Sequence, residues 1–241
     1  MTLRRLYTPQ LLAAQAQLTL GEESRHHAQV LRLSAGDALQ LFDAAGGRAE
    51  ARVLRCDRRA LVCEVEAAEH VPRTGPQLTL AVCVPKAAKL ELIVRMATEL
   101  GVRAVQLVQS ERAVPKFGSD APKLDRLRRI AIEACAQSEQ AYAPELSGPL
   151  PLEAALQAIP AAATKLACVE RSAAQPWPPL AATTEGAYLL VGPEGGFTAP
   201  ELTLLQTSGC QSVSLGEAVL RVETACIVAC AMALDRLRAC H

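Results

Sequence analysis

Two glycine-containing segments near the end of the chain carry the residues best suited to bind a ligand. One is Gly192-Pro-Glu-Gly-Gly196, which follows the apolar run Ala187–Val191, and the other is Leu215–Ala225. A glycine-rich turn between a buried strand and a helix presents backbone N–H groups at the carboxyl edge of a sheet, where open α/β proteins bind ligands. Gly192–Gly196 matches neither the dinucleotide fingerprint nor the P-loop. It is therefore either a loop for a small ligand or a tight structural turn.

The second segment adds side chains that could take part in a reaction. Arg221, Glu223 and Thr224 follow a glycine turn at the predicted start of a helix. Two such strand-loop-helix junctions could hold one ligand between their backbone amides, with these side chains beside it. The alternative is that Arg221 and Glu223 form only a surface ion pair, which contributes little to stability.

The elements that must position these segments alternate between strands and helices, as in α/β domains. Thr198 and Glu201 have the spacing of a capping box, which predicts a helix start just after the first segment. The apolar runs predict strands at Leu78–Val84, Val102–Val108, Lys165–Val169, Ala187–Val191 and Gln211–Leu215. Apolar residues at helical spacing predict further helices at Ala87–Leu100, Pro122–Gln140 and Val219–Arg238.

The first part of the chain is different, with short strands predicted at Leu39–Phe42, Ala49–Leu54 and Ala60–Val65. Strands at this spacing suggest a small barrel or sandwich. A polar stretch with two prolines and a glycine, His70–Gln77, is typical of a linker. We therefore expect two domains, residues 1–72 and 77–241.

A helix is also predicted near Glu22–Leu33, with Ala28, Leu31 and Val30 turned inward. Arginine is frequent around it and lysine is absent from the first domain. These arginines form either a solvated surface or a face that contacts phosphates. They are Arg4, Arg5, Arg25, Arg32, Arg48, Arg52, Arg55, Arg58 and Arg59.

Two of the predicted helices have unusual faces. The helix at Pro122–Gln140 has Lys123, Arg126, Arg128 and Arg129 in its first half, where positive charge opposes the helix dipole. Such local inconsistencies are often functional. In the last helix, small and apolar side chains from Cys226 to Leu237 share one face, which packs either on its own sheet or against a second subunit.

Composition narrows the possible classes of protein. The net charge of the 241 residues is zero, which argues against a strongly basic nucleic-acid binder but not against a locally basic face. No apolar run approaches the roughly 18 residues of a membrane span, and the start lacks a signal-peptide pattern. The nine cysteines form no Cys-x-x-Cys pair, so we expect a cytoplasmic protein with reduced core thiols and no metal site.

The two late segments together resemble the bacterial family that methylates N3 of a uridine in 16S ribosomal RNA. That family belongs to the SPOUT superfamily of trefoil-knotted methyltransferases. The likeness covers nearly the whole chain. The supporting segments are His26-His27-x-x-Val-Leu-Arg32, Gly36-Asp37, Glu99–Val102, Ser110-Glu-Arg112 and Pro144-Glu145.

The resemblance implies an α/β chain with a C-terminal trefoil-knotted SPOUT methyltransferase domain and an N-terminal PUA-like β-barrel for RNA. It implies S-adenosylmethionine as cofactor, 16S rRNA or the small ribosomal subunit as partner, and a homodimer. The implied cofactor-binding residues are Leu190, Gly192, Pro193, Glu194, Gly195, Gly196, Leu215, Gly216, Val219 and Leu220. The implied RNA-binding residues are Arg25, His27, Arg32, Arg112, Arg126 and Arg129.

The resemblance also implies catalytic roles for Arg221 and Glu223. Uridine N3 is a poor nucleophile until it loses its proton, and a guanidinium near O2 or O4 would favour the anion. Glu223 could accept the proton, directly or through water, or orient Arg221. Arg112 is a second candidate for an anion contact.

Two arginines that are usual in the family are missing. Ala218 stands two residues after Gly216, and Ala136–Gln140 retains only Gln137 of the family's Glu-Gln-x-Gly-Arg. If those arginines hold phosphates, RNA affinity should be lower and less dependent on salt. A catalytically weakened or non-catalytic rRNA-binding or ribosome-assembly protein on the same fold is therefore the alternative, and a different SPOUT specificity is a third reading.

Overall fold

The computed structural model describes residues 4–9, 14, 16–113, 121–169, 175–180 and 186–239. The chain divides into two compact units. The first unit comprises Met1–Thr74 together with Ile132–Ala143, and the second comprises Gly75–Ala131 together with Pro144–His241. From the sequence we expected the two domains to be separated by a single boundary between residues 72 and 77. The structure additionally groups residues 132–143 with the first unit.

A five-stranded sheet forms most of the first unit, in the order β1-β3-β4-β5-β2. Its strands alternate inward and outward side chains: Ala49, Ala51 and Val53 are buried, whereas the residues between them are exposed. The core is therefore on one face of the sheet. The elements are β1 Arg5–Tyr7, β2 Gln17–Leu20, α1 Glu22–Val30, β3 Ala38–Phe42, β4 Gly47–Cys56 and β5 Leu61–His70.

The strands predicted within β3, β4 and β5 are confirmed, but the predicted helix was too long. Helix α1 ends at Val30, and Arg32 has a positive φ of 54° that no α-helix accommodates. Val30 is 68% exposed, so its inward placement was wrong, whereas Ala28 is fully buried. Two residues along a helix is about 200° of rotation, which places Val30 on the face opposite Ala28.

The return of residues 132–143 completes the first unit. The buried guanidinium of Arg5 donates to the backbone oxygens of Cys135 and Gln140, at 3.0 and 3.3 Å. The Gly46 N–H donates to Ala141 O at 3.0 Å, and the Tyr142 hydroxyl donates to Val71 O at 2.7 Å. This segment is thus attached at both its ends to the β-sheet unit.

The second unit is a six-stranded sheet, in which every pair of neighbouring strands is parallel. The strand order is β11-β9-β10-β6-β7-β8. Its strands are β6 Leu78–Cys83, β7 Ala104–Gln109, β8 Glu145–Pro151, β9 Thr164–Cys168, β10 Ala187–Val191 and β11 Gln211–Val213. Its helices are α2 Ala87–Glu99, the first part of α3 Ala121–Ser138, α4 Leu152–Gln157, α5 Ala199–Thr207 and α6 Val222–Arg238. The end of α3, from Ile132, belongs to the first unit.

The order of the strands reverses between β6 and β10. From β6 the chain moves outward through β7 to β8, and it then returns to add β9, β10 and β11 on the other side of β6. In open α/β sheets the ligand crevice lies outside the carboxyl ends of the strands at such a reversal. The loop after β10 begins at that place.

Helix α6 settles one of the open alternatives. Cys226, Cys230, Ala233 and Leu237 are all essentially buried, and α6 packs against α2, β6 and β10. This face therefore packs on its own sheet, and it is not available to a second subunit. The helix begins at Val222, three residues later than predicted, because Arg221 has an extended backbone (φ −67°, ψ 153°).

Candidate active site

The loop after β10 is shaped by its glycines. A Cβ atom on Gly192 would lie 3.0 Å from the Phe197 ring, which is itself buried in the core. Gly196 has a positive φ of 66°, and its N–H donates to Pro193 O at 2.9 Å. The loop therefore folds back on itself as a compact turn, with Glu194 and Gly195 exposed at its tip.

The predicted capping box at the start of α5 is confirmed, and it also reaches another loop. Thr198 is the N-cap, and its N–H donates to Glu201 Oε2 at 2.8 Å. The other carboxylate oxygen of Glu201 accepts from the Glu111 N–H at 2.8 Å. Thr198 Oγ1 donates to Glu111 Oε2 at 3.0 Å. The buried Glu201 thereby ties the loop after β7 to the loop after β10.

Lys89 connects the glycine loop after β10 to the first turn of α6. It lies in the first turn of α2, and its Nζ is 2.8 Å from Glu194 Oε1 and 3.5 Å from Glu223 Oε2. The hydrogen bond to Glu194 raises the pKa of Lys89, and the same bond lowers the pKa of Glu194. Glu223 Oε2 is buried and has no hydrogen bond within the described chain, so its only polar contact there is the longer ion pair with Lys89.

Arg221 is placed beside this cluster but is not paired with it. It occupies the N-cap position of α6 without a side-chain capping bond, and it is exposed. Arginine is not a favoured N-cap residue, and its positive charge opposes the helix dipole there. No ion pair joins it to Glu223 among the residues described, so the surface-pair alternative does not hold for this structure.

The loop from Leu215 to Leu220 has the properties of one wall of a nucleoside pocket. Val219 is fully exposed, although it is a large apolar side chain. The N–H groups of residues 217–220 form no hydrogen bond with any described residue. Gly216 turns the chain with a φ of 114° and is held by Ser214, whose backbone oxygen accepts from the Trp177 indole at 2.8 Å.

These features fit the cofactor that the sequence implies. An adenosine group requires apolar contact together with a few backbone donors, and the free amides and bare Val219 supply both. The Gly192–Gly196 turn has no lysine within it to hold phosphates, which fits a sulfonium nucleoside better than a nucleotide.

The remaining predicted residues of the second unit lie at different distances from this cluster. Arg112 Nη1 donates to Gly195 O at 2.7 Å, and the Arg112 side chain covers Gly195. Arg126 is held by both carboxylate oxygens of Glu91, at 2.6 and 3.0 Å. Arg129 is exposed on α3. Arg112 thus contacts the glycine loop after β10, whereas Arg126 forms a surface ion pair with Glu91.

The predicted RNA-binding residues of the first unit lie on or just after α1. His27 and Arg32 are exposed. Arg25 reaches across to the β4–β5 turn, where it donates to the Arg58 backbone oxygen. Of the two positions where the family's arginines are missing, Ala218 lies exposed in the Leu215–Leu220 loop, and Gln140 offers its backbone oxygen to Arg5.

Sequence reasoning missed Lys89 and the second role of Glu201. Lys89 has the pattern of an ordinary polar residue in an amphipathic helix, and only the strand order brings it to Glu194. The three-residue spacing of Thr198 and Glu201 predicted the capping box. It gave no indication that Glu201 also contacts Glu111, 90 residues away in the chain. Within the described ranges we find no cluster of residues suited to a metal ion and no helix able to cross a membrane.

Comparison with protein families gives two matches. A family described as the RNA methyltransferase domain matches residues 73–234, and one described as the RNA methyltransferase PUA domain matches residues 20–66. The two matches together span most of the chain.

Individual relatives agree with these matches. Ribosomal RNA small subunit methyltransferase E of Synechocystis is 35% identical over 90% of this chain and 72% of the relative. The protein of that name from Rickettsia conorii is 31% identical over 96% and 95%.

Two solved structures resemble the fold throughout. A Legionella pneumophila protein in complex with S-adenosylmethionine superposes with a TM-score of 0.89 at 28% identity, covering 98% of each chain. Ribosomal RNA small subunit methyltransferase E of Neisseria gonorrhoeae, bound to S-adenosyl methionine, has a TM-score of 0.86 at 28% identity, over 95% and 96%.

Proposed function

The chain belongs to the RNA methyltransferase family, with a PUA domain followed by a SPOUT methyltransferase domain, and on that premise we propose that it methylates N3 of a uridine in 16S rRNA with S-adenosylmethionine. The observation that carries the proposal is the Lys89 cluster. One lysine contacts Glu194 of the first glycine loop and Glu223 beyond the second. This lysine supports a site in which the loop after β10 and the start of α6, with the loop that precedes it, would border one space.

The residues that would hold the cofactor line this space from two sides. The turn after β10 would supply one side through Leu190 and Gly192–Gly196. The other side would come from Leu215, Gly216, Val219 and Leu220. When bound, the cofactor supplies an electrophilic methyl group on a sulfonium sulfur. We also propose that this domain contains the trefoil knot of the SPOUT superfamily.

Arg221 is assigned to the uridine. Its guanidinium is exposed and unpaired within the described chain, so it is free to hydrogen-bond a uracil carbonyl oxygen. As N3 loses its proton, negative charge spreads onto O2 and O4. A fixed guanidinium stabilises that charge more than it stabilises neutral uracil, which lowers the barrier.

Glu223 is assigned to the proton. Its Oε2 atom lacks a hydrogen bond in the described structure, so it can accept the N3 proton directly or through one water. Lys89 Nζ, at 3.5 Å, holds the Glu223 carboxylate in place. The proposed orienting role of Glu223 toward Arg221 has no contact to support it here.

The test is a substitution of Arg221. Arg221→Ala should lower the rate of N3-methyluridine formation by about 100-fold, the typical cost of removing one preorganised donor. The binding constant for S-adenosylmethionine, measured by calorimetry, should change little. Methylation is measured by mass spectrometry of nucleosides from small subunits incubated with the protein.

Arg238→Ala is the matched control, because Arg238 is an exposed arginine at the far end of the same helix. A wild-type rate in Arg221→Ala would remove its proposed role. Absence of any N3-methyluridine with the wild-type protein and cofactor would overturn the proposed reaction.

A homodimer and a cytoplasmic location are part of the same proposal. The location follows from a ribosomal RNA target. The dimer rests on the family, since the α6 face once considered for it is buried within the chain. Light scattering at micromolar concentration tests it, and a monomeric mass would contradict it.

A further inference from the structure

The exposed arginines on the strands of the first unit differ from those at its β4–β5 turn in a way that the sequence does not show. On the strands, Arg48 is paired with Glu69, and Arg52 Nε is 2.8 Å from Glu66 Oε1. Arg4 is likewise paired with Asp37, at 3.1 Å. Each of these guanidiniums is neutralised by an acidic neighbour, so this part of the unit offers little net positive charge to a polyanion.

The β4–β5 turn, residues 57–60, is different. Its one carboxylate, that of Asp57, binds the backbone of the turn. Asp57 Oδ1 accepts hydrogen bonds from the N–H groups of Arg59 and Ala60, at 2.7 and 2.9 Å. The other oxygen lies 3.5 Å from Arg55 Nε. The side chains of Arg58 and Arg59 are exposed and form no ion pair with any described residue.

Helix α1 fixes this turn from the other side. Arg25 donates to the Arg58 backbone oxygen, and Gln29 Nε2 donates to Asp57 O at 3.3 Å. Two carbonyl groups of the turn, those of Asp57 and Arg58, are therefore held by α1 side chains, while the N–H groups of Arg59 and Ala60 are held by the Asp57 carboxylate. A turn fastened in this way presents its arginines in a defined place, which lowers the entropic cost of binding.

The chemistry of the turn fits a phosphodiester backbone. Guanidinium groups match phosphate oxygens in a planar, two-bond geometry, and they are always charged. The turn and the adjoining α1 face contain no Phe, Tyr or Trp on which a base could stack. Contacts from this turn would therefore position an RNA strand without reading its sequence.

We propose that the β4–β5 turn, through Arg58 and Arg59, is a phosphate-contacting surface for the ribosomal RNA substrate. This inference rests on the proposed function for the identity of the RNA. It separates Arg58 and Arg59 from Arg48 and Arg52, which are paired with glutamates on the sheet surface.

The experiment measures the affinity of the full-length protein for in vitro transcribed 16S rRNA as a function of salt. Arg58→Gln/Arg59→Gln should reduce the slope of log K against log salt by about 2, because each arginine that binds a phosphate accounts for about 1 of that slope. Arg48→Gln/Arg52→Gln, the matched pair already neutralised by glutamates, should leave the slope nearly unchanged. Arg58→Lys/Arg59→Lys should restore most of it, because lysine also neutralises phosphate.

An unchanged slope in Arg58→Gln/Arg59→Gln would overturn the inference, and so would an equal reduction in both glutamine pairs. Calorimetry with S-adenosylmethionine and methyl transfer by the wild-type protein test the proposed function separately. If Arg58→Gln/Arg59→Gln reduces the salt slope as expected but the wild-type protein forms no N3-methyluridine, the proposed reaction fails while the assignment of the turn stands.

Discussion

Lys89 is the residue on which the geometry of the site depends most. It is one cation between two carboxylates, one in the loop after β10 and the other in the first turn of α6. Glu194 takes the shorter contact and Glu223 the longer one, so Lys89 both fastens the first loop and limits where the Glu223 carboxylate can lie.

Replacing Lys89 should therefore impair the reaction more than cofactor binding. Lys89→Met should lower kcat by about 10- to 100-fold, because displaced catalytic groups cost about that much. Lys89→Arg should recover much of the activity by keeping the cation. Lys86→Met, at an exposed lysine that is the N-cap of α2, is the control. A wild-type kcat in Lys89→Met would show that Glu223 needs no such support.

The pH dependence of this cluster follows from the two pKa shifts. The raised pKa of Lys89 means that its contribution to stability is present below the unfolded value of about 10.4 and is lost as pH rises through the folded pKa. The lowered pKa of Glu194 means that its contribution is present above about 4.3 and is lost as pH falls through the folded pKa. The pair should thus persist across the neutral range.

At the scale of elements, the glycine loops differ in how they use their glycines. Gly192 is needed for space, because a side chain there meets the buried Phe197 ring. Gly216 is needed for its backbone, since its surroundings are open but its φ is 114°. Gly195 faces only the flexible part of the Arg112 side chain, with 3.3 Å from its would-be Cβ to Cδ.

These differences predict an order of stability. Gly192→Ala should lower the free energy of unfolding by about 1–3 kcal/mol, the usual cost of overpacking a core. Gly195→Ala should cost less than about 0.5 kcal/mol, since an exposed arginine can move aside. Urea unfolding of the two variants measures the difference. Equal destabilisation of both would mean that the Phe197 contact does not constrain the loop.

The sequence predicted the elements with strong periodicity and missed those without it. Buried apolar runs such as Leu78–Cys83 and Ala187–Val191 were found almost to the residue. Strand β8 was missed because Glu145–Pro151 contains two prolines and a glycine, which normally argue against a strand. Lys89 could not be assigned to the site from sequence, because its partners Glu194 and Glu223 lie more than 100 residues further along the chain.

At the scale of the whole molecule, most of the described cysteines are buried free thiols. Burial raises the pKa of Cys83, Cys135 and Cys168 to about 12 in each case. It raises the pKa of Cys63 and Cys210 to about 11. These thiols stay protonated in the folded protein, so the expectation of reduced core cysteines agrees with their environment.

Folding should therefore weaken in alkali. In the unfolded chain these thiols ionise near pH 8.5, whereas in the folded chain they do not, so stability is full below that pH and falls as pH rises toward the folded values. The thermal unfolding midpoint should decrease steadily above about pH 9. Iodoacetamide at about pH 8 should label Cys56, which is partly exposed, well before Cys83, which is buried and has a raised pKa. Rapid labelling of Cys83 in the native protein would contradict this account.

The return of residues 132–143 to the first unit has a consequence for how the protein is made. A ribosome releases the chain from its N-terminus, so residues 75–131 emerge before the segment that Arg5 and Gly46 bind. During translation the Arg5 guanidinium therefore lacks its carbonyl partners, Cys135 O and Gln140 O, until more than half of the chain has been synthesised. The first unit can therefore be completed only after residues 75–131 of the second unit have been synthesised.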